Sequence, residues 1–94
     1  MTVGQTIYSQ LKATSVREMM CWGFCQPIDM GDGLKFKVSG LKFRGYIYVK
    51  YDEGADLYIV QLATIRKKEW KVKLEIKDIF FDELGTTIDS LVEM

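Results

Sequence analysis

Lysine and arginine alternate with aromatic and aliphatic residues through the middle of this chain. Residues 34–38 read Leu-Lys-Phe-Lys-Val, and residues 41–51 read Leu-Lys-Phe-Arg-Gly-Tyr-Ile-Tyr-Val-Lys-Tyr. Cations two residues apart, interleaved with flat rings, can hold phosphates and stack bases of a single-stranded nucleic acid. The same mixture suits a protein interface, where aromatic residues and Arg are enriched. Folding residues 34–45 about a two-residue turn at Ser39 and Gly40 sets Lys37 opposite Lys42 and Lys35 opposite Arg44. Like charges directly across an antiparallel pair destabilise it. Such a row needs acidic neighbours, open solvent or an anion.

Other chemistry is sparse. The chain has no histidine, the commonest general base, and two cysteines, Cys21 and Cys25. Four thiolate or imidazole ligands cannot be gathered within one chain, so neither a structural zinc site nor any other cofactor is expected. Cys-x3-Cys is not the redox spacing. Two small apolar thiols buried on one face account for it, with a metal shared between chains or an oxidative disulfide as alternatives. No glycine-rich phosphate loop, zincin helix or nucleophile elbow is present. Asp82, Glu83 and Asp89 belong to a segment that should pack on the core, with Asp82 and Glu83 on its wet side. The chain is not expected to be an enzyme.

Thirteen basic and thirteen acidic residues cancel over 94 positions. No bulk attraction to nucleic acid or membrane follows. The distribution is uneven: residues 35–77 hold eleven Lys and Arg against five acids, and residues 78–94 hold five acids and no base. No apolar run is long enough to span a bilayer, and the first residues lack a signal-peptide pattern. A single domain in the cytoplasm, with no membrane association, is the expectation.

The elements that must position these residues read as α+β. Val3, Ile7 and Leu11 recur every fourth residue, with Tyr8 beside them, predicting a helix over 2–13 capped by Thr2. Ser15 to Glu18 fits a capping box and a further helical turn. Residues 20–24, Met-Cys-Trp-Gly-Phe, favour an extended edge segment, because Gly23 weakens a helix and Pro27 disfavours one at Gln26. Residues 29–33 form a turn.

From Leu34 onward the period is two. A three-residue loop at Asp52, Glu53 and Gly54 sets Val49 opposite Leu57, Ile47 opposite Ile59, Tyr48 opposite Tyr58 and Lys50 opposite Asp56. A turn at 66–69 sets Ile65 opposite Trp70 and Ala63 opposite Val72. The result is an antiparallel meander of four or five strands. One face carries Leu34, Phe36, Val38, Leu41, Phe43, Ile47, Val49, Leu57, Ile59, Ala63, Ile65, Trp70, Val72, Leu74 and Ile76. A second helix over 79–92, capped by Asp78 and apolar at Phe80, Phe81, Leu84, Ile88, Leu91 and Val92, joins the first in covering it. Gly85 inside that helix costs about 1 kcal/mol relative to Ala. It either allows a close approach to the sheet or to the first helix, or is a tolerated weak point.

The far face of the sheet is then the candidate binding surface. It is expected to carry Lys35, Lys37, Lys42, Arg44, Tyr46, Tyr48 and Tyr58, with Lys50, Lys71, Lys73 and Lys77 around them. In this register Val60 and Leu62 also point there and need a cover. A protein partner or a second copy of the chain would bury them. Single-stranded nucleic acid is the alternative occupant. Lysines on such a face also serve simply to prevent sheet-to-sheet aggregation.

Trp22-Gly-Phe24, Gly33-Leu-Lys-Phe-Lys-Val38 with Gly40 and Gly45, Gly54-Ala-Asp-Leu-Tyr-Ile-Val60, and Ile79-Phe-Phe-Asp-Glu-Leu84 with Ile88 and Asp89 follow in that order. The chain so read resembles a group of short uncharacterised proteins of gut bacteria and their phages or mobile elements. The likeness spans most of the sequence and rests on turn glycines and alternating strands. It implies a small α+β protein, carries over no catalytic residue, and slightly favours binding to nucleic acid or to a host protein.

Overall fold

The structure is a computed structural model that describes residues 2–92, with residue 81 as backbone only. Helix α1 (Val3–Cys21) starts on a reciprocal cap. The Gln5 amide donates to Thr2 Oγ1 and the Thr2 amide to Gln5 Oε1, both at 3.2 Å. The expected helix thus runs eight residues further than residue 13, because its every-fourth-residue stripe continues through Ser15 to Met19. The chain leaves helical geometry only at Ser15 (φ −141°, ψ 32°), which kinks α1.

The extended segment expected at 20–24 is therefore helix and its terminus. Gly23 (φ 64°) follows the last helical turn in left-handed geometry. Its amide donates to the Met20 carbonyl and that of Phe24 to the Met19 carbonyl. This is a Schellman stop, in which glycine avoids the 1–2 kcal/mol that a Cβ costs. Gly23 ends the helix where sequence reasoning took it for a weakness inside one.

Five strands follow: β1 (Cys25–Asp29), β2 (Gly33–Ser39), β3 (Arg44–Asp52), β4 (Leu57–Arg66) and β5 (Glu69–Ile79), paired in sequence order and all antiparallel. The meander is as expected, but two registers differ throughout, and that of β4 with β5 differs beyond Ala63, where Gln61 faces Glu75 rather than Leu74 and Ile76 faces Val60 rather than Ile59. Between β2 and β3 the loop has four residues, 40–43, so Leu34 faces Val49 and Phe36 faces Ile47. The displacement is even, so each side chain keeps its face. It gives Leu34 and Phe36 the branched partners Val49 and Ile47 in place of the expected Gly45 and Phe43, sets Val38 opposite Gly45 rather than Leu41, and leaves Leu41, expected in the core, 90% exposed in the loop. It also dissolves both like-charge pairs: Lys37 now lies opposite Tyr46 and Lys35 opposite Tyr48. The loop is held from outside, since the amides of Lys42 and Phe43 donate to the Val92 carbonyl at 2.7 and 3.2 Å.

Between β3 and β4 the loop is also four residues, 53–56. Asp52 Oδ1 accepts from the amides of Gly54 and Ala55 there. Val49 then faces Val60 and Ile47 faces Leu62. This displacement is odd, and an odd slip turns every side chain of a strand to the other face. Tyr58, Val60 and Leu62 enter the core, at 7%, 0% and 5% exposure. Ile59, Gln61, Ala63 and Ile65 turn away from it.

The tight turn at Lys67 and Lys68, both at positive φ, sets Ile65 opposite Trp70 and Ala63 opposite Val72 as expected. Because β4 is reversed, Trp70 and Val72 lie on the far face rather than in the core. One step on β4, Leu62 to Ala63, then spans two on β5, Leu74 to Val72. That bulge returns Leu74 and Ile76 to the helix side. The strand runs on through Asp78 to Ile79, so Asp78 caps no helix. A 3-10 turn (Phe81–Glu83) precedes α2 (Leu84–Val92). Phe80 is exposed at the junction, and the side chain of Phe81, expected in the core, lies outside the described residues.

Both helices cover one face, as expected. Ile7, Leu11, Met19 and Trp22 of the first helical segment meet Leu34, Phe36, Val38, Ile47, Val49, Val60, Leu62, Leu84, Ile88 and Val92 in a single core. A Cβ on Gly85 would lie 1.7 Å from Ser15 Oγ, so the glycine lets α2 cross α1 at its kink. Among the described residues no helix is long and apolar enough to cross a membrane.

Candidate binding face

The face left bare by the helices is built from β1 to β5 by alternation. β2 contributes Lys35 and Lys37, and β3 contributes Tyr46, Tyr48 and Lys50. β4 supplies Ile59, Gln61, Ala63 and Ile65, and β5 supplies Trp70, Val72 and Glu75. Ile28, opposite Lys35, extends the face onto β1.

Trp70 is its centre. The ring lies 5.9 Å from that of Tyr46 and 6.4 Å from that of Tyr48, centroid to centroid. Lys35 Nζ stands 5.1 Å from the Trp70 centroid and 5.8 Å from that of Tyr46, and Lys50 Nζ stands 5.0 Å from the Tyr48 centroid. An ammonium over a ring face is attracted by the ring quadrupole, at about 0.5–1 kcal/mol in exposed positions. This is how the sheet accommodates its cations: rings, not acids or an anion, lie across from them. A groove of about 430 Å³ runs between Met30, Lys35, Tyr48, Lys50, Gln61, Trp70 and Val72. Ile28, Met30, Ile65 and Val72 remain 42–46% exposed around it.

Of the residues expected on this face, Lys35, Lys37, Tyr46 and Tyr48 are brought together, and Arg44 reaches its margin at the start of β3. The others are elsewhere. Lys42 sits in the 40–43 loop at the end of α2, with Nζ 3.4 Å from the Ser90 carbonyl, where a cation meets the negative end of a helix. Tyr58, Val60 and Leu62 are in the core for the register reason above. No cover for Val60 and Leu62 is needed beyond the chain's own helices. Lys71 falls opposite Thr64 on the helix side, and Lys73 sits in the bulge.

Trp70, Val72, Ile59 and Ile65 are the residues that sequence reasoning assigned to the core instead. One signal was available. The set Leu57, Ile59, Gln61, Ala63, Ile65 has a polar residue at its middle, whereas Tyr58, Val60, Leu62 does not.

The acids of this region are engaged. Gln61 Nε2 donates to Glu75 Oε2 at 2.6 Å, and Lys77 Nζ lies 3.5 Å from the same carboxylate. The Gln61 bond, with Lys77 adding to it, holds the Glu75 carboxyl below its ordinary range. Tyr48 donates its hydroxyl to Asp32 Oδ1. Burial first, then that bond and the Asp32 charge, push the Tyr48 hydroxyl up to about 12. A pKa above the unfolded value of about 10 stabilises the fold fully below pH 10, and the contribution is lost as pH climbs through 12. Tyrosinate absorbance should therefore show a late-titrating group near pH 12 for Tyr48, beside Tyr51, which is also pushed up to about 12. Asp32→Asn should bring one of the two back towards 10. An unchanged titration would mean that Asp32 and Tyr48 are not paired.

Both cysteines are exposed rather than buried, Cys21 at the end of α1 and Cys25 at the start of β1, and both are free thiols. Among the described residues no group of three or more Cys, Asp or Glu side chains is placed to hold a metal.

Comparison with protein-family models, curated proteins and solved structures gives no match.

Proposed function

We propose that the chain is a small non-catalytic binding module that engages a protein through the far face of its sheet. The observation that carries this reading is the cluster of half-exposed Ile28, Met30, Ile65 and Val72 around the half-buried Trp70. Hot spots are enriched in Trp and Tyr, and a grouped apolar patch rimmed by cations is the usual form of an interaction site. Lys35, Lys37 and Lys50 at its rim favour a partner surface with carboxylates. A second copy of the chain is one such partner, through its acidic residues 78–89. Two exposed free thiols fit the reducing conditions of the cytoplasm.

A photo-crosslinking residue in place of Val72 tests the reading against one in place of Lys12 on the outer side of α1. The expected result is a discrete adduct from position 72 and none from position 12, with Trp70→Ala abolishing it. Light scattering over a wide concentration range separates the partners: a concentration-dependent dimer means a second copy, and a steady monomer means a foreign protein. Equal labelling from both positions would remove the proposal.

Single-stranded nucleic acid is kept as a second reading because Lys35, Lys37 and Lys50 stand beside three aromatic rings. It requires that single-stranded RNA quench Trp70 fluorescence at about 50 mM salt and release it at about 200 mM. No quenching at low salt removes it.

A further inference from the structure

On the helix side of the sheet, where β3 and β4 run past the start of α1, a cavity of about 640 Å³ is lined by Tyr51, Tyr58 and Phe80 together with Asp56, Gln10 and Val3. It is separate from the far face and does not depend on the reading of that face. Its volume is in the range of small-ligand sites.

Three aromatic side chains reach it from three elements. Tyr51 and Tyr58 are cross-strand partners at the end of β3 and the start of β4, with centroids 5.2 Å apart at an angle of 51°. Phe80 comes from the β5 to α2 junction and is 56% exposed. A phenylalanine more than half exposed beside a cavity is a ring with an open face. The polar groups are few and placed. The Tyr58 hydroxyl donates to Gln10 Oε1 at 3.3 Å, and the Tyr51 hydroxyl donates to Asp56 Oδ1. The second oxygen of Asp56 accepts no hydrogen bond among the described residues.

The charge at this site is negative. Glu53 and Asp56 belong to the 53–56 loop, and among the described residues neither forms an ion pair. Both tyrosine hydroxyls register that charge. Tyr51 is pushed up to about 12 by its bond to Asp56, by burial, and by the Asp56 and Glu53 charges. Tyr58 is raised by burial and by Asp56, against the bond to Gln10. On the far face, lysines of the chain itself stand over the rings. Among the described residues no Lys or Arg stands over Tyr51, Tyr58 or Phe80.

We propose that this cavity binds an alkylated ammonium group, with the Tyr51, Tyr58 and Phe80 rings around the cation and the Asp56 carboxylate as its counter-charge. Rings on several sides with one carboxylate suit a weakly hydrated organic cation. They do not suit a hard metal ion, which takes six or more oxygens. The group can come from a free small molecule or from a methylated lysine side chain, and both present the same chemistry.

The test uses choline, a peptide bearing one trimethyl-lysine, and 3,3-dimethylbutan-1-ol, which has the shape of choline without its charge. Binding is followed by amide chemical shifts of residues 51–58. The expected result is saturable binding of at least one cation, with the neutral isostere roughly tenfold weaker or worse. Asp56→Asn and Phe80→Ala should each weaken binding about 3- to 30-fold. Both positions are exposed, so unchanged far-ultraviolet dichroism should show that both variants fold. Tighter binding of choline indicates a free ligand, and tighter binding of the peptide indicates a lysine reader. Equal affinity for the isostere, or no saturable shift from either cation at millimolar concentration, overturns the proposal.

Discussion

Trp22→Ala should cost this protein about 3–5 kcal/mol, a large share of the 5–15 kcal/mol that holds an ordinary domain folded. Trp22 has no exposed surface and joins three elements. It closes α1, its carbonyl accepts from the Ser39 amide of β2 at 2.6 Å, and its indole Nε1 donates to Asp89 Oδ1 of α2 at 3.0 Å. Truncation leaves a cavity between helices and sheet and deprives Asp89 of its donor. Urea unfolding followed by circular dichroism reads the loss directly. Trp22→Phe separates the two contributions: it keeps most of the packing and removes the charged hydrogen bond, at about 1.5–3 kcal/mol. A loss below about 1 kcal/mol for the alanine variant would contradict the burial of Trp22 and with it the docking of α1. Trp22→Phe also leaves Trp70 as the sole tryptophan, and so as a clean reporter of the far face.

The second large effect is expected at Gly85. On an isolated helix Gly→Ala is favourable by about 1 kcal/mol. In this protein the sign should reverse. The added methyl would lie 1.7 Å from Ser15 Oγ and 2.7 Å from Ser15 Cβ, inside a fully packed crossing. Overpacking of this kind costs about 1–3 kcal/mol, and a bulkier Gly85→Val should cost more. Ser15→Gly removes both atoms that the methyl meets. The double variant Gly85→Ala with Ser15→Gly should therefore recover most of the loss, as a coupling energy of about 1 kcal/mol or more in a double-mutant cycle. Additive losses would mean that the two helices do not meet at these residues. A stabilised Gly85→Ala would mean that the glycine is only a tolerated weak point.

The chain's own order of residues determined most element types, the meander, and the side on which the helices lie. The exceptions are residues 20–24, expected extended but ending α1, and residues 79–83, expected helical but finishing β5 and forming a 3-10 turn. Ile7 and Leu11 repeat at helical spacing, Leu34, Phe36 and Val38 alternate, and Ile88 and Val92 repeat again. These periods are local, and each is satisfied by only one kind of element. The Lys67–Lys68 turn was legible as well, because charged residues there interrupt two apolar runs.

What only the tertiary structure decided was register. Residues 57–65 are largely apolar on both alternations, and Gln61 on one is matched by Thr64 at the end of the other, so the local pattern gives only a weak cue for choosing between Ile59 and Val60 for the interior. The choice falls to the 53–56 loop, one residue longer than its glycine implies, and to the helices, which have room for Tyr58, Val60 and Leu62. The 40–43 loop is set from fifty residues away, by the Val92 carbonyl that its amides satisfy. Both decisions depend on groups distant in sequence. The first, being an odd shift, moved Trp70 and Val72 onto the bare face and took Tyr58, Val60 and Leu62 off it, while the second changed partners and left every side chain on its face. A side chain's presence in a strand is written locally, but the face it occupies is a property of the whole sheet.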